Sequence, residues 1–261
     1  MSNVLDGLYV PTIEEMIDRC CVPHVVSVEA DCIVLGNVSC TGSNGEVFEH
    51  YGKLHVDKDI VRGSDGNHVN FTTYNAAAHF EKEGMFLPSF ALSCNILKTL
   101  YENKDDKEVS KVLMQYKDYG SGYGWHAQNT IVDWGNKKII HYPSNKDFLQ
   151  YGGSNNINQS KNRAESGFNF KGFKNMFLEK ALKKDEFKAF VQDFTGLQQP
   201  EMLVEIGKHF NKPAYIWTSE GSDIRAAWLG GGSDGNNSDS FSIDANGNLN
   251  GSDAARGVRS Q

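Results

Sequence analysis

The chain has no apolar run approaching the length of a membrane span. Its opening, MSNVLDGLYV, lacks the basic and then apolar regions of a secretory leader. Basic clusters are missing as well. With 26 Lys and Arg against 33 Asp and Glu, and a formal charge of -7, the composition offers no cationic face for nucleic acid or an anionic bilayer. Neither nucleic-acid binding nor membrane insertion is expected. Cysteine is sparse and odd in number: Cys20, Cys21, Cys32, Cys40 and Cys94. No disulfide framework follows from that, and synthesis in a reducing cytoplasm does. Display on a virus particle or cell surface by another route stays open.

What is present is core-forming material. Fifteen Phe, ten Tyr and four Trp within 39% hydrophobic residues suffice for a 261-residue chain to fold without a metal or disulfide staple. PTIEEMIDRCC starts as a short helix, with Pro11 and Thr12 at its cap. HVVSVEADCIVLGNVSC supplies β-branched runs broken by Asp31 and Gly36, and YGKLHVDKDIV adds a strand. Helical patterns follow at FTTYNAAAHFEKEG, stopped by Gly84, at LPSFALSCNILKTLYEN, with Leu92, Ile96, Leu97 and Leu100 on one face, and at DDKEVSKVLMQYKDYG.

GSGYGWHAQNTIVDWGNKKIIHYP predicts a hairpin turning at Trp134-Gly135-Asn136. YGGSNNINQSKNRAESG is expected to cross the surface as a polar loop. Two more helices are expected, KNMFLEKALKKDEFKAFVQDF ended by Gly196 and QPEMLVEIGKHF, before strands at PAYIWTSEG, IRAAWL and SFSID. Helices in the middle and strands at both ends predict an α+β fold in which terminal strands meet in an antiparallel sheet. One domain over 1–261 is expected: a β-rich part (1–70), a helix-rich middle (71–212) and C-terminal strands and loops (213–261).

The unusual segment is LGGGSDGNNSDSFSIDANGNLNGSDA, residues 229–254, in which 20 of 26 positions are Gly, Ser, Asn or Asp. Such a composition suits a linker. Against that reading, Phe241, Ile243 and Ala245 alternate with Ser240, Ser242 and Asp244, the period of a half-buried strand. Trp217 and Trp228 precede the segment as anchors. The segment also holds no Lys, Glu, Gln, Met or Trp. Those are the five residues that an Asn codon ending in a pyrimidine cannot reach by replacement of its adenines.

The order AYIWTSEGSDIRAAWL, then the Asn/Gly/Ser/Asp segment, then AARGVR resembles the variable proteins of diversity-generating retroelements, over residues 213–261. The resemblance implies a C-type lectin-like fold, with helices packed on antiparallel sheet and C-terminal strands and loops forming a variable binding face. It further implies adenine-directed mutagenesis of the coding segment and a protein or cell-surface ligand, in receptor recognition or adhesion by a microbe, archaeal or otherwise, or its virus. No cofactor is implied. The candidate contacts are Gly231, Gly232, Asp234, Gly235, Asn236, Asn237, Ser240, Ser242, Asp244, Asn246, Asn248, Asn250 and Ser252. Phe241, Ile243 and Leu249 are expected in the core. Few of the contacts are Tyr, Trp or Arg, the types that dominate binding energy.

Other chemistry has weaker support. Cys94 followed by His126 resembles the order of a papain-like cysteine hydrolase, with His141 or Asn129 as a third member. Cys94, however, lies two turns into an apolar helix, where no dipole lowers its pKa, and a buried thiol is the better reading. Cys20, Cys21, His24, Cys32 and Cys40 lack the paired knuckles of structural zinc. DANGNLNGSD has alternating oxygen ligands, but Leu249 and Ala255 stand where a calcium loop needs Gly and a bidentate acid. QQPEM (198–202) falls short of a lectin sugar motif, and the glycines of GSGYGWHAQN lack the context of a dinucleotide loop.

Overall fold

The computed structural model describes residues 22–117, 125–151, 162–173, 175–232 and 240–260. Three sheets and seven helices are found among them, in a mixed α+β arrangement. A four-stranded antiparallel sheet holds β1 (His24–Val28), β2 (Cys32–Thr41), β3 (Val47–Asp57) and, from the far end of the chain, β13 (Val258–Ser260), in the order β1-β2-β3-β13. The helix expected from PTIEEMIDRCC lies outside the described residues. β2 runs through Gly36 rather than breaking there, because His24 of β1 packs onto that glycine: a Cβ at Gly36 would sit 2.8 Å from His24 Cε1.

A seven-stranded sheet follows the order β7-β6-β5-β10-β11-β9-β8. Its strands are β5 (Trp125–Asp133), β6 (Lys138–His141), β7 (Ala164–Gly167), β8 (Asn175–Phe177), β9 (Ala214–Trp217), β10 (Ile224–Gly232) and β11 (Ser240–Gly247). Every pairing is antiparallel except β11 with β9. A third, two-stranded sheet joins β4 (Phe71–Thr72) to β12 (Ser252–Asp253).

The helices are α1 (Thr73–Lys82), α2 (Phe90–Glu102), α3 (Lys107–Met114), α4 (Asn145–Tyr151), α5 (Leu178–Ala181), α6 (Asp185–Thr195) and α7 (Met202–His209). α2 begins where Ser89 Oγ accepts the Leu92 N–H, a side-chain N-cap. The sequence places an apolar stripe on α2, yet Phe90 to Leu97 are buried all round. The cause is its position between the two large sheets. Ile33, Leu35, Leu54 and Val56 of the first sheet, Ile216, Leu229, Phe241 and Ile243 of the second, and α2, α6 and α7 share one apolar core. A second cluster on the other face of the seven-stranded sheet joins α1 and Phe148 of α4 to Ala127, Ile131, Ile140, Ala226 and Trp228.

Two expectations are corrected. Residues 175–194, expected as part of one helix over 174–194, instead fall into β8, α5 and α6. Edge pairing with β9 and the tilted contact of Phe177 with Tyr215, 4.4 Å between ring centres, draw Asn175–Phe177 into a strand. Lys180 lies in the last turn of α5, and Asp185 and Glu186 in the first turn of α6, each charge at the pole it favours. The polar crossing after β6 also holds more structure than a loop, since α4 opens it and β7 closes it against β6. The chain ends as a closure: β13 pairs with β3, Arg256 is 3% exposed and donates to the Asp57 carbonyl and Gln115 Oε1.

Candidate functional site

Residues 229–232 and 240–247 of the Gly/Ser/Asn/Asp segment are built into the seven-stranded sheet. β11 is hydrogen-bonded on both edges, to β10 and to β9. Phe241, Ile243 and Ala245 point into the main core and are fully buried. Trp134, itself 1% exposed, donates from Nε1 to the Ala245 carbonyl at 2.9 Å and so pins the strand's backbone. At the end of β11 the chain passes so close to Trp228 that a Cβ on Gly247 would lie 1.8 Å from Cδ1 of the ring. Only glycine fits there. Trp228 is thus an anchor, as the sequence suggests, and Trp134 is one that the sequence, read linearly, places only in a turn.

The opposite face of β11 carries Ser240, Ser242, Asp244 and Asn246. Register sets Tyr215 beside Ser242 and Trp217 beside Asp244, with Trp228 on the other side of Asp244. Trp217 Nε1 lies 3.4 Å from Ser242 Oγ. Tyr215 in turn packs at a tilt against Phe177, which is 41% exposed. The result is a polar strand bordered by aromatic rings at the β9–β8 edge. Tyr215 and Phe177 were not among the sequence candidates. The alternation A-Y-I-W, matched to S-F-S-I-D, is the signal that places Tyr215 and Trp217 on one face.

Exposure divides the thirteen candidates. Asn248, Asn250 and Ser252 are exposed, and Asp244 and Asn246 partly so. Asp244 Oδ1 accepts the Asn246 N–H at 2.7 Å, and Asn248 Oδ1 accepts the Asn250 N–H at 2.9 Å, so local Asx turns fix this stretch. Leu249 between them is partly buried and packs against the Trp228 cluster. The expected exposure of Gly231, Ser240 and Ser242 is corrected: all three are buried. β11 is an interior strand, and the short serines, 3.1 Å apart at their hydroxyls, sit below the taller Tyr215 and Trp217. Gly232 ends β10 opposite Ser240. Asp234, Gly235, Asn236 and Asn237 lie outside the described residues.

The residues proposed for thiol chemistry are differently placed. Cys94 is fully buried, and desolvation pushes its thiol well above the ordinary range. His126 is 1% exposed and stacks on Tyr116 at 4.5 Å. Burial, with the Arg256 charge second, pulls it down to about 3. His141 has both nitrogens engaged, Nδ1 with the Thr130 hydroxyl at 2.9 Å and Nε2 with the Asp193 carbonyl at 3.0 Å. Asn129 donates to the Leu87 carbonyl and to Asn145 Oδ1. All four groups are buried, Cys94 and Asn129 completely.

A pocket of about 450 Å³ lies at the other edge of the seven-stranded sheet, between the β2–β3 turn, β7 and α6. Glu46, Glu165 and Asp193 line it, but Asp193 caps the Ser43 N–H at 2.6 Å and Glu165 pairs with Lys138 and Arg163. Its polar groups serve the seam between the two sheets. Compared with known protein families, characterised proteins and solved structures, the chain matches none.

Proposed function

We propose that this protein is a ligand-recognition module without catalytic activity, whose C-terminal strand and following loop form a diversifiable contact surface in a C-type lectin-like fold. One observation carries the reading. A segment of linker-like composition forms an interior strand held by Trp134, Trp228 and β9, and Asp244 emerges from it between Trp217 and Trp228. A fixed backbone with exchangeable side chains is what a variable binding site requires. Asp244, Asn246, Asn248, Asn250 and Ser252 are the variable contacts. Phe177, Tyr215 and Trp217 supply the large, stiff contact area that small polar residues lack. The partner is a protein or cell-surface ligand, bound in receptor recognition or adhesion.

The adenine-directed origin of the variation is tested on the coding DNA. A second copy of the segment for residues 229–254, beside a reverse-transcriptase gene and differing only at adenines, is the expected finding. Differences spread over all four bases contradict it.

A further inference from the structure

Among the described residues, His24, Cys32 and Cys40 of the ligand set considered from the sequence for zinc do not come together. Cys40 faces the core, where Asn95 Nδ2 approaches its sulfur at 3.7 Å, and His24 Nδ1 is bonded to the Val22 carbonyl. Cys20 and Cys21 lie outside the described residues. Cys32 instead meets two residues that linear spacing does not connect to it. The tight β1–β2 turn, closed by the Glu29 N–H on the Cys32 carbonyl at 2.9 Å, swings the Glu29 carboxylate over the start of β2. From β3, paired with β2, His55 turns its ring toward the same point.

Cys32 Sγ is 3.4 Å from Glu29 Oε2 and 3.6 Å from His55 Nδ1, and the three ligand atoms lie within 4.8 Å of one another. Bond lengths of about 2.3 Å to sulfur and about 2.0–2.1 Å to nitrogen or oxygen, at tetrahedral angles, put ligand atoms about 3.5–3.6 Å apart around zinc. Both sulfur edges of the triangle already have that length. The remaining edge closes by rotation of Glu29, whose side chain is exposed. The surroundings bear on the choice of ion. Cys32 is 1% exposed, so its sulfur can lose its proton only with a cation beside it, which the ion would supply. The nearby cation, Arg259, lies 3.9 Å from Asp57 and is balanced by it.

We propose that Cys32, His55 and Glu29 form a site for a thiophilic divalent cation of the zinc class, with solvent in the fourth position. A sulfur, nitrogen and carboxylate set selects such an ion over magnesium or calcium. The ion ties the β1–β2 turn to β3 and is independent of the recognition surface on the other sheet.

The test is titration of the metal-free full chain with Co(II), followed by its optical spectrum. A thiolate-to-cobalt charge-transfer band with the ligand-field bands of a tetrahedral site, displaced by zinc, is expected. Cys32→Ser removes the charge-transfer band, and a Cys20→Ser/Cys21→Ser double variant keeps it. Glu29→Gln, at an exposed position that leaves folding intact, weakens affinity by at least about tenfold. Absence of the band at saturating Co(II), its survival in a folded Cys32→Ser chain, its loss in the double variant, or unchanged affinity in Glu29→Gln overturns the proposal.

Discussion

At the scale of single residues, a strong constraint on β11 comes from outside it. Trp134 reaches across to hold the Ala245 carbonyl. Trp134→Phe keeps most of the ring but leaves that carbonyl unpaired in the core, and a loss of about 1–2 kcal/mol is expected in a denaturant titration. An unchanged midpoint contradicts the pinning role. Buried histidines set the acid response. The folded-state pKa values of His126 and His141 are depressed, to about 3 and about 4, so the folded chain binds fewer protons than the unfolded one. Stability is therefore full above pH 6.5 and falls as pH drops from there towards about 4, by up to about 1.4 kcal/mol per pH unit for each. Glu49 opposes this at the low end: burial raises its carboxyl, so its own contribution is lost as pH rises above its ordinary range. Denaturant midpoints measured against pH show the slope, and His126→Gln flattens it. An equal slope in that variant locates the acid sensitivity elsewhere.

At the scale of elements, what was legible followed from local pattern. The β5–β6 turn at Trp134-Gly135-Asn136, the apolar face of α2 and the strand core Phe241–Ile243–Ala245 all follow from periodicity and turn chemistry. What was not legible depended on neighbours in space. Asn175–Phe177 has a helix-like sequence and becomes a strand because β9 offers an edge. Ser242 reads as an outward polar residue, yet it lies among Tyr215, Trp217 and Gly230 of adjacent strands. The two serines of β11 are accordingly scaffold. Ser242→Lys buries an unpaired charge and is expected to cost about 3 kcal/mol or more, whereas Asn250→Lys, on the exposed loop, stays within about 0.5 kcal/mol. Chemical denaturation of the pair separates them, and similar costs contradict the division of the segment.

At the scale of the molecule, the last eight residues close both large sheets. Ala254 bridges to His126 of β5, Arg256 reaches Asp57 and Gln115, and β13 completes the first sheet. Deletion of residues 254–261 is expected to abolish a cooperative thermal transition, and a sharp transition in the truncated chain contradicts the closure. The same closure brackets β11, which is paired with β10 before it in the chain and followed by β12 and β13, each paired to a distant strand.

The central claim, a fixed scaffold with exchangeable contacts, is tested most directly by a displayed library randomised at Asp244, Asn246, Asn248, Asn250 and Ser252. The measurement is the fraction of members that unfold cooperatively near the parent's Tm, with the same measurement on a library at Phe241, Ile243 and Ala245. The account predicts that most of the first library folds, yields binders to unrelated protein targets, and that most of the second does not fold. Equal loss of folding in both, or a folded first library from which no binder emerges, contradicts it.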